Sequence, residues 1–504
     1  MRAFDTLPPV CRVAEVRAIE AAASGQALME RAGAAAAQAA QAMLAERAGP
    51  VVVLAGPGNN GGDGLVVARR LHEAFHDVVV VFRGDAGKLP PDAARAYAAW
   101  REAGGDCTSA LPPRRPALVV DALYGIGLGR PLAPRDAEMV QWANAQDAPV
   151  LALDVPTGLN AETGIATAPA VRATRTTTFI ALKPGLLTGA GPDLCGRVDV
   201  DALGLDVRDA SGRALAWPPL ARALPEVLLR RTRSVHKGTF GTLLVVGGAA
   251  GMLGAPLLAG RAALRCGAGR VRIGWIADDA PAVDPGVPEL MLREAGAVLA
   301  DGGDALVLGC GLGTSPAARD ALGRAVDADV PLVLDADALN LLAGDPALRA
   351  RVRSRGAATV ATPHPAEAGR LLGKDVAGVQ HDRLAAAQSI AAALRSHVVL
   401  KGAGSVIVHP DGAWAINRSG NPALACAGTG DVLAGLVGAL LAQGLDAATA
   451  LEFGVCLHGA AADELVARGA GPVGVLASEV ADAARDLVNR AARAHEARGS
   501  ASGQ

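Results

Sequence analysis

The sequence predicts an α/β protein with two domains, each a three-layer sandwich in which helices cover both faces of a parallel sheet. Three observations carry this. Short β-branched runs alternate along the chain with helical patterns of about 10–15 residues. The runs are too apolar to be half exposed, as central parallel strands are. And 504 residues exceed what one domain usually holds.

In order, the first part offers "VVVLAG" from Val51, "VVVVFRG" from Val78, "ALVVDALYG" from Ala117 and "PVLALDVPTG" from Pro149. The later part repeats the rhythm with "GTLLVVGG", "GRVRIGWI", "DALVLGCG", "VPLVLDADAL", "AATVATPHP", "HVVLKGAG" and "SVIVHPDG". All are read as central parallel strands. The stretch from Leu203 to Leu229 lacks a clear strand and is rich in Pro, Ala and Arg, so the chain divides near 220, into domains 1–215 and 225–490. The residues after Asn489 read as a fraying helix end followed by disorder.

Composition narrows the partners. Lys+Arg 48 against Asp+Glu 50 gives a formal charge of -2, and aromatics make up 3%, which argues against nucleic acid and for a small ligand. Every long apolar stretch is cut by Gly, Pro or charge within about 18 residues, short of a membrane span. Charges at Arg2, Asp5, Arg12, Glu15 and Arg17 leave no room for a signal-peptide core. The seven cysteines are scattered without metal spacing, so reduced thiols in the cytoplasm are expected and a zinc site is not. Only five of the 48 basic residues are lysine, which draws attention to each one.

The chemistry gathers where strands open into glycine-dense loops. In "GPGNNGGDG" the glycines would let backbone amides approach a ligand at the next helix N-terminus. They do not explain Asn59, Asn60 and Asp63, whose oxygens suit a hard cation or a polar substrate. An Asx turn capping a helix at Gly64 is the plainer alternative. "VVDALYGIGLGR" and "LALDVPTGLNAETG" place Asp121 and Asp154 at equivalent strand ends, the edge where parallel sheets bind ligands. Helix capping would explain either aspartate singly, and explains three such loops less readily.

These segments, with "ALMERAGAAAAQAA", resemble the NAD(P)H-hydrate epimerase domain, a Rossmann-like fold. The resemblance implies a substrate pocket lined by Asn59, Asn60, Gly61, Gly62 and Asp63, and by Gly125, Ile126, Gly127, Leu128, Gly129, Arg130 and Pro131. It further implies potassium ligands at Asn60, Asp121 and Thr157, where many members have serine for this threonine, and a catalytic acid/base at Asp154. Lys183 in "ALKPGLLTGAG" matches a family lysine, either supporting the pocket or forming a structural salt bridge.

The second part carries "KGAGS", Lys401 to Ser405, and "NPALACAGTGDVLAG", which sets Gly428, Thr429, Gly430 and Asp431 at the start of an apolar helix. A G-T-G-D turn aims several amides at one point, an anion hole with a carboxylate beside it; Asp431 as a plain helix cap is the alternative. This pattern is ribokinase-like. With "RRTRSVHKGTFG", "GAPLLAGRAALRCGAGRV", "LVLGCGLG", "VLDADALN" and "ATPHPAE" in order, this part resembles the ADP/ATP-dependent NAD(P)H-hydrate dehydratases. The resemblance implies that Ala255, Gly311 and His364 contact the hydrated dinucleotide. It puts Lys401, Gly402, Ala403, Gly404, Ser405 and Gly430 on the nucleotide and makes Asp431 the catalytic base. Read alone, His364 is more simply structural.

The resemblance therefore implies one repair pathway: epimerisation of the R and S forms of hydrated NADH or NADPH, with K⁺, then dehydration of the S form using ADP and Mg²⁺, yielding AMP and phosphate. A homo-oligomer is expected. The competing readings are a small-alcohol kinase with an accessory Rossmann-like domain and a non-catalytic scaffold.

Overall fold

A computed structural model describes residues 7–501 except Ser24, Ala45, Glu46, Arg114, Arg208, Asp209 and Arg230. The chain forms two compact units, Pro8–Gly212 and the residues from Arg213 onward.

In the first unit a seven-stranded sheet runs in the order Cys107–Thr108, Val78–Phe82, Val51–Ala55, Leu118–Ala122, Val150–Leu153, Arg175–Phe179, Arg197–Asp201. Every pairing is parallel. The apolar runs are continuous because both faces are covered. Val51, Val53 and Ala55 join Leu118 and Val120 in one core against the helices Leu28–Leu44 and Asn59–Glu73. Val52 and Leu54 join Val119 in a second core against Met139, Val140 and Ala143 of the helix Pro134–Asn144. Val51–Ala55 and Leu118–Ala122 lie side by side while their connections diverge, which opens a crevice at the carboxyl ends of those two strands.

In the second unit consecutive neighbours are Trp414–Asn417, Val406–Val408, His397–Leu400, Thr359–Ala361, Leu332–Leu334, Ala305–Leu308, Thr242–Gly247, Arg270–Trp275 and Met291–Glu294. From His397–Leu400 to Met291–Glu294 the pairing is parallel. One core packs Leu243, Val245, Val307 and Val333 against the apolar helices Gly254–Arg265, Thr429–Ala442 and Ala447–Ala467. The alternate residues Leu244, Val246, Leu306 and Leu334 are equally buried on the opposite face.

Three local readings change. Val406–Val408 is antiparallel to both neighbours, because the short Lys401–Ser405 loop cannot make the long crossover that parallel pairing needs. A strand, Gly212–Leu215, lies inside the stretch read as strandless. And Ala477–Ala501 is one continuous helix through the region read as fraying, consistent with the helix-forming Ala, Arg and Glu that fill it, while the end of the segment read as disordered, 502–504, lies outside the described residues.

Candidate functional site

In the first unit the loop after Val51–Ala55 is shorter than the sequence suggested. The helix starts at Asn59, with Gly58 as its N-cap and no side-chain cap, so the Asx-capping alternative at Gly64 does not hold. Asn59 to Asp63 form its first turn. The amide oxygen and nitrogen of Asn60 are both buried with no partner among the described residues. Asp63 is held well above the usual carboxylate range by burial first, then by Asp154, Glu20 and Asp92.

Asp154 stands at the end of Val150–Leu153 with φ 63°, a left-handed conformation. The Val155 amide donates to the Leu153 carbonyl across it at 2.8 Å, closing a three-residue turn. The neighbouring strand repeats the device at Ile180, φ 70°, where the Ala181 amide donates to the Phe179 carbonyl at 2.8 Å. For a β-branched residue this conformation is rare, and such strain gathers at functional sites. The turns bring two strand ends to one point. Lys183, fully buried, donates to Asp154 Oδ1 at 2.5 Å, to Thr178 Oγ1 at 2.8 Å and to the Phe179 carbonyl at 2.8 Å. Thr178 Oγ1 donates to the same carboxylate oxygen at 3.2 Å, and the Ile126 amide to Oδ2 at 3.2 Å.

Gly125 lies between Asp154 and Asn60: a Cβ there would come within 2.8 Å of Asp154 Oδ2 and 3.2 Å of Asn60 Oδ1. Gly127, Gly129, Arg130 and Pro131 are exposed and Leu128 is half-buried, so of this segment Gly125 and Ile126 alone reach Asp154. Asp121, fully buried, accepts from the Thr157 amide at 2.8 Å and its hydroxyl at 2.7 Å, and burial lifts its carboxyl to about 6 against those bonds. Neither Asp121 nor Asp154 caps a helix. The orphaned Asn60 amide and the space that Gly125 keeps open fit a small cation or a polar ligand atom.

In the second unit Gly428, φ 90°, caps the helix Thr429–Ala442, which leaves Asp431 inside the first turn and not at the cap. The Thr429 hydroxyl donates to the Leu424 and Cys426 carbonyls at 2.9 and 3.0 Å, pinning the turn. Lys401, at the end of His397–Leu400, donates to Asp335 Oδ1 at 2.7 Å, and a Cβ on Gly430 would lie 3.4 Å from its ammonium. Asp335 makes no side-chain cap of its own helix. Burial lifts the Asp431 carboxyl to about 6; the Cys310 thiol and Lys401 oppose the rise while Asp335 and Asp337 add to it.

The remaining residues fall around this cluster. Ala255 and Gly311 are packed together, a Cβ on Gly311 reaching 3.2 Å from that of Ala255. His364 caps the helix Pro365–Leu372, accepting at Nδ1 from Ala366 at 3.1 Å, while Nε2 faces Glu367 Oε1 at 3.0 Å. Burial raises the Glu367 carboxyl, and His364 and Lys401 outweigh it to give a net lowering. Under Lys401–Ser405 sits buried Arg383, donating to the Leu400 and Lys401 carbonyls at 3.2 Å each.

Sequence reasoning passed over Thr178, Glu20, Cys310, Asp335's tie to Lys401, and Arg383. Thr178 had a signal, being one of three consecutive threonines, all buried, in the strand Arg175–Phe179. Arg383, on a helix, had none.

Fold and sites together define a two-site α/β enzyme, with one aspartate-centred cluster in each unit. A family model for NAD(P)H-hydrate dehydratase matches residues 243–485, and one for the YjeF-related protein N-terminus matches residues 25–185. The chain is 41% identical over 471 residues to the bifunctional NAD(P)H-hydrate repair enzyme of Escherichia coli, covering 92% of this chain and 89% of that one. It is 39% identical over 494 residues to the enzyme of Coxiella burnetii, covering 95% and 98%. Among solved structures it is similar to the ADP/ATP-dependent NAD(P)H-hydrate dehydratase of Bacillus subtilis, co-crystallised with ATP/Mg²⁺, at 35% identity and TM-score 0.48, over 54% of this chain and 96% of that one. The chain belongs to the family of bifunctional NAD(P)H-hydrate repair enzymes. No helix among the described residues is long and apolar enough to cross a membrane.

Proposed function

We propose that the first unit epimerises hydrated NADH and NADPH at ring carbon 6, and that the second dehydrates the S epimer with ADP. The observation that carries this is one chain of this family holding two unlike aspartates. Asp154 is ion-paired and multiply hydrogen-bonded, whereas Asp431 has a carboxyl lifted to about 6 beside a helix N-terminus.

In the first pocket Asp154 transfers the proton as the C6 hydroxyl departs. The ring nitrogen stabilises the resulting cation, and water returns from either face. Lys183 and Thr178 hold one carboxylate oxygen and the Ile126 amide the other. Asn59 to Asp63 and Gly125 to Pro131 receive the substrate. Asn60, Asp121 and Thr157 would hold potassium, which when bound supplies a fixed positive charge beside the pocket.

In the second pocket Asp431 takes the proton of the C6 hydroxyl as its oxygen attacks the terminal phosphoryl of ADP; the new O–P bond forms as the bond to AMP breaks. Phosphate then leaves with the C–O electron pair, and loss of a proton from carbon 5 restores the dihydronicotinamide. Free amides at the start of Thr429–Ala442 suit the transferring phosphoryl group. Lys401 to Ser405 and Gly430 hold the nucleotide; Ala255, Gly311 and His364 hold the dinucleotide. Mg²⁺ arriving with ADP supplies charge neutralisation. All seven cysteines are free thiols, which suits a reducing compartment, and we assign the enzyme to the cytoplasm.

The test mixes the chain with hydrated NADH containing both epimers, ADP and Mg²⁺, and follows the return of reduced-nicotinamide absorbance. Complete rapid recovery is expected, turning biphasic in Asp154→Ala. A stable phosphorylated product, or no recovery with ADP or ATP, overturns the reading.

A further inference from the structure

Beside Asp431 lies a group with no part in the chemistry above. Cys310 is fully buried. Its sulfur, one Asp335 oxygen and one Asp431 oxygen all lie within 4.8 Å of one another. It stands between Gly309, φ 127°, and Gly311, φ 57°, where the chain leaves Ala305–Leu308.

Those two glycines thread the backbone through a space that no side chain could share: a Cβ on Gly309 would sit 1.8 Å from the Asp335 carbonyl. The loop is fixed on every side. The Gly248 amide donates to the Cys310 carbonyl at 3.2 Å, the Ala249 amide to the Gly311 carbonyl at 2.7 Å, and the Gly313 amide to Asp337 Oδ2 at 2.8 Å. One thiol is thereby presented to two carboxylates from rigid backbone.

The electrostatics decide what that thiol does. Lys401 is the cation of the cluster and is paired with Asp335 at 2.7 Å. The acids facing the thiol are Asp335 and Asp431, and burial together with both holds it well above its usual range, so it keeps its proton. A protonated thiol beside a carboxylate is a neutral donor. It can engage one Asp431 oxygen without quenching the base, as an ammonium would.

The geometry points to Cys310 as a positioning residue for Asp431: its S–H holds one carboxylate oxygen, leaves the other to the substrate hydroxyl, and keeps the base from collapsing onto Lys401. This rests on the dehydratase reading above. Removing the thiol frees Asp431 to turn toward Lys401, which weakens the base and draws the lysine from Asp335.

The experiment compares Cys310→Ala and Cys310→Ser in the full chain, with epimerisation by the other unit and the thermal midpoint as controls for folding. Cys310→Ala is expected to lower the dehydration kcat about tenfold, the scale of one hydrogen bond to a charged group, with KM for ADP unchanged. The acid limb of its pH profile, on which Asp335, Asp337, Lys401 and Asp431 all bear, should move. Cys310→Ser, which keeps a donor, should restore both. Independently of activity, the S–H infrared band lost in Cys310→Ala should shift toward a free-thiol frequency in Asp431→Leu. Wild-type kcat in Cys310→Ala, a serine variant as slow as the alanine one, or a band indifferent to Asp431→Leu overturns the inference. Absence of dehydration in the unaltered chain sinks the functional reading instead, and the infrared band still tests the thiol–carboxylate pairing.

Discussion

Both aspartates lie by the carboxyl edge of a mostly parallel sheet, Asp154 at a strand end and Asp431 in the first turn of a helix, and they are treated in opposite ways. Asp154 is bound to a buried ammonium at 2.5 Å and fixed at both oxygens. Asp431 faces a thiol, and its nearest lysine belongs to Asp335. The difference follows from the work proposed for each. An epimerase ends where it began in protonation, and a rigid carboxylate with fixed neighbours serves it. A base that accepts a hydroxyl proton during phosphoryl transfer works best with a pKa near the operating pH, which an ion pair would prevent.

The sharpest break of the comparison is to remove each acid alone. Asp154→Asn should cost epimerisation at least about a hundredfold and leave dehydration of the S epimer intact; Asp431→Asn should do the reverse. Assays with the separate epimers read both. If either change lowers both reactions equally, the sites are not independent.

Next in size is the buried ion pair. Lys183→Met leaves the largely buried Asp154 carboxylate without its cation and should destabilise the first unit by about 3–5 kcal/mol, measured by denaturant unfolding. Lys401 is partly exposed, at 20%, so Lys401→Met should cost the second unit less.

These pairs also mark the limits of what the sequence reveals. Continuous apolar runs ending in Gly and Asp mark most of the parallel strands and the loops between them, because burial on two faces leaves no other composition. The scarcity of lysine drew attention to all five, and of these Lys183 is buried and paired with Asp154. The Lys401–Asp335 pair spans 66 residues, and no local pattern encodes a contact at that separation. Nor does the left-handed backbone at Asp154 and Ile180 leave a trace, since glycine, the usual marker, is absent from both. The antiparallel turn at Val406–Val408 was legible in the shortness of its loop and was read instead by its apolar composition.

A smaller effect separates the aspartates through pH. The Asp431 carboxyl is lifted from its ordinary value to about 6 in the folded chain. The neutral form therefore favours folding: its contribution is fully present below about pH 4 and is lost as pH rises through about 6. Asp431→Asn should leave stability at pH 4 unchanged and raise it at pH 8 by about 1–3 kcal/mol. Calorimetry at the two pH values checks this, and a variant no more stable at pH 8 would show that the carboxylate has partners in solution that compensate its burial. Dehydration should fall below about pH 6 as the base becomes protonated.

The smallest effect tests how firmly Asp154 is held. Thr178 accepts from Lys183 at 2.8 Å and donates to Asp154 at 3.2 Å, so it completes a triangle already closed by the shorter ion pair. Thr178→Val keeps the β-branched shape and the strand while deleting both bonds. Because Lys183 still reaches Asp154 and the Phe179 carbonyl, the acid should stay in place, and epimerisation should fall about three- to tenfold, the worth of one modest hydrogen bond. Epimer exchange followed by proton NMR measures it. A loss as large as that of Asp154→Asn would mean that the hydroxyl itself carries a proton, and the contrast between an ion-paired carboxylate and one that faces a thiol would have to be redrawn around Thr178.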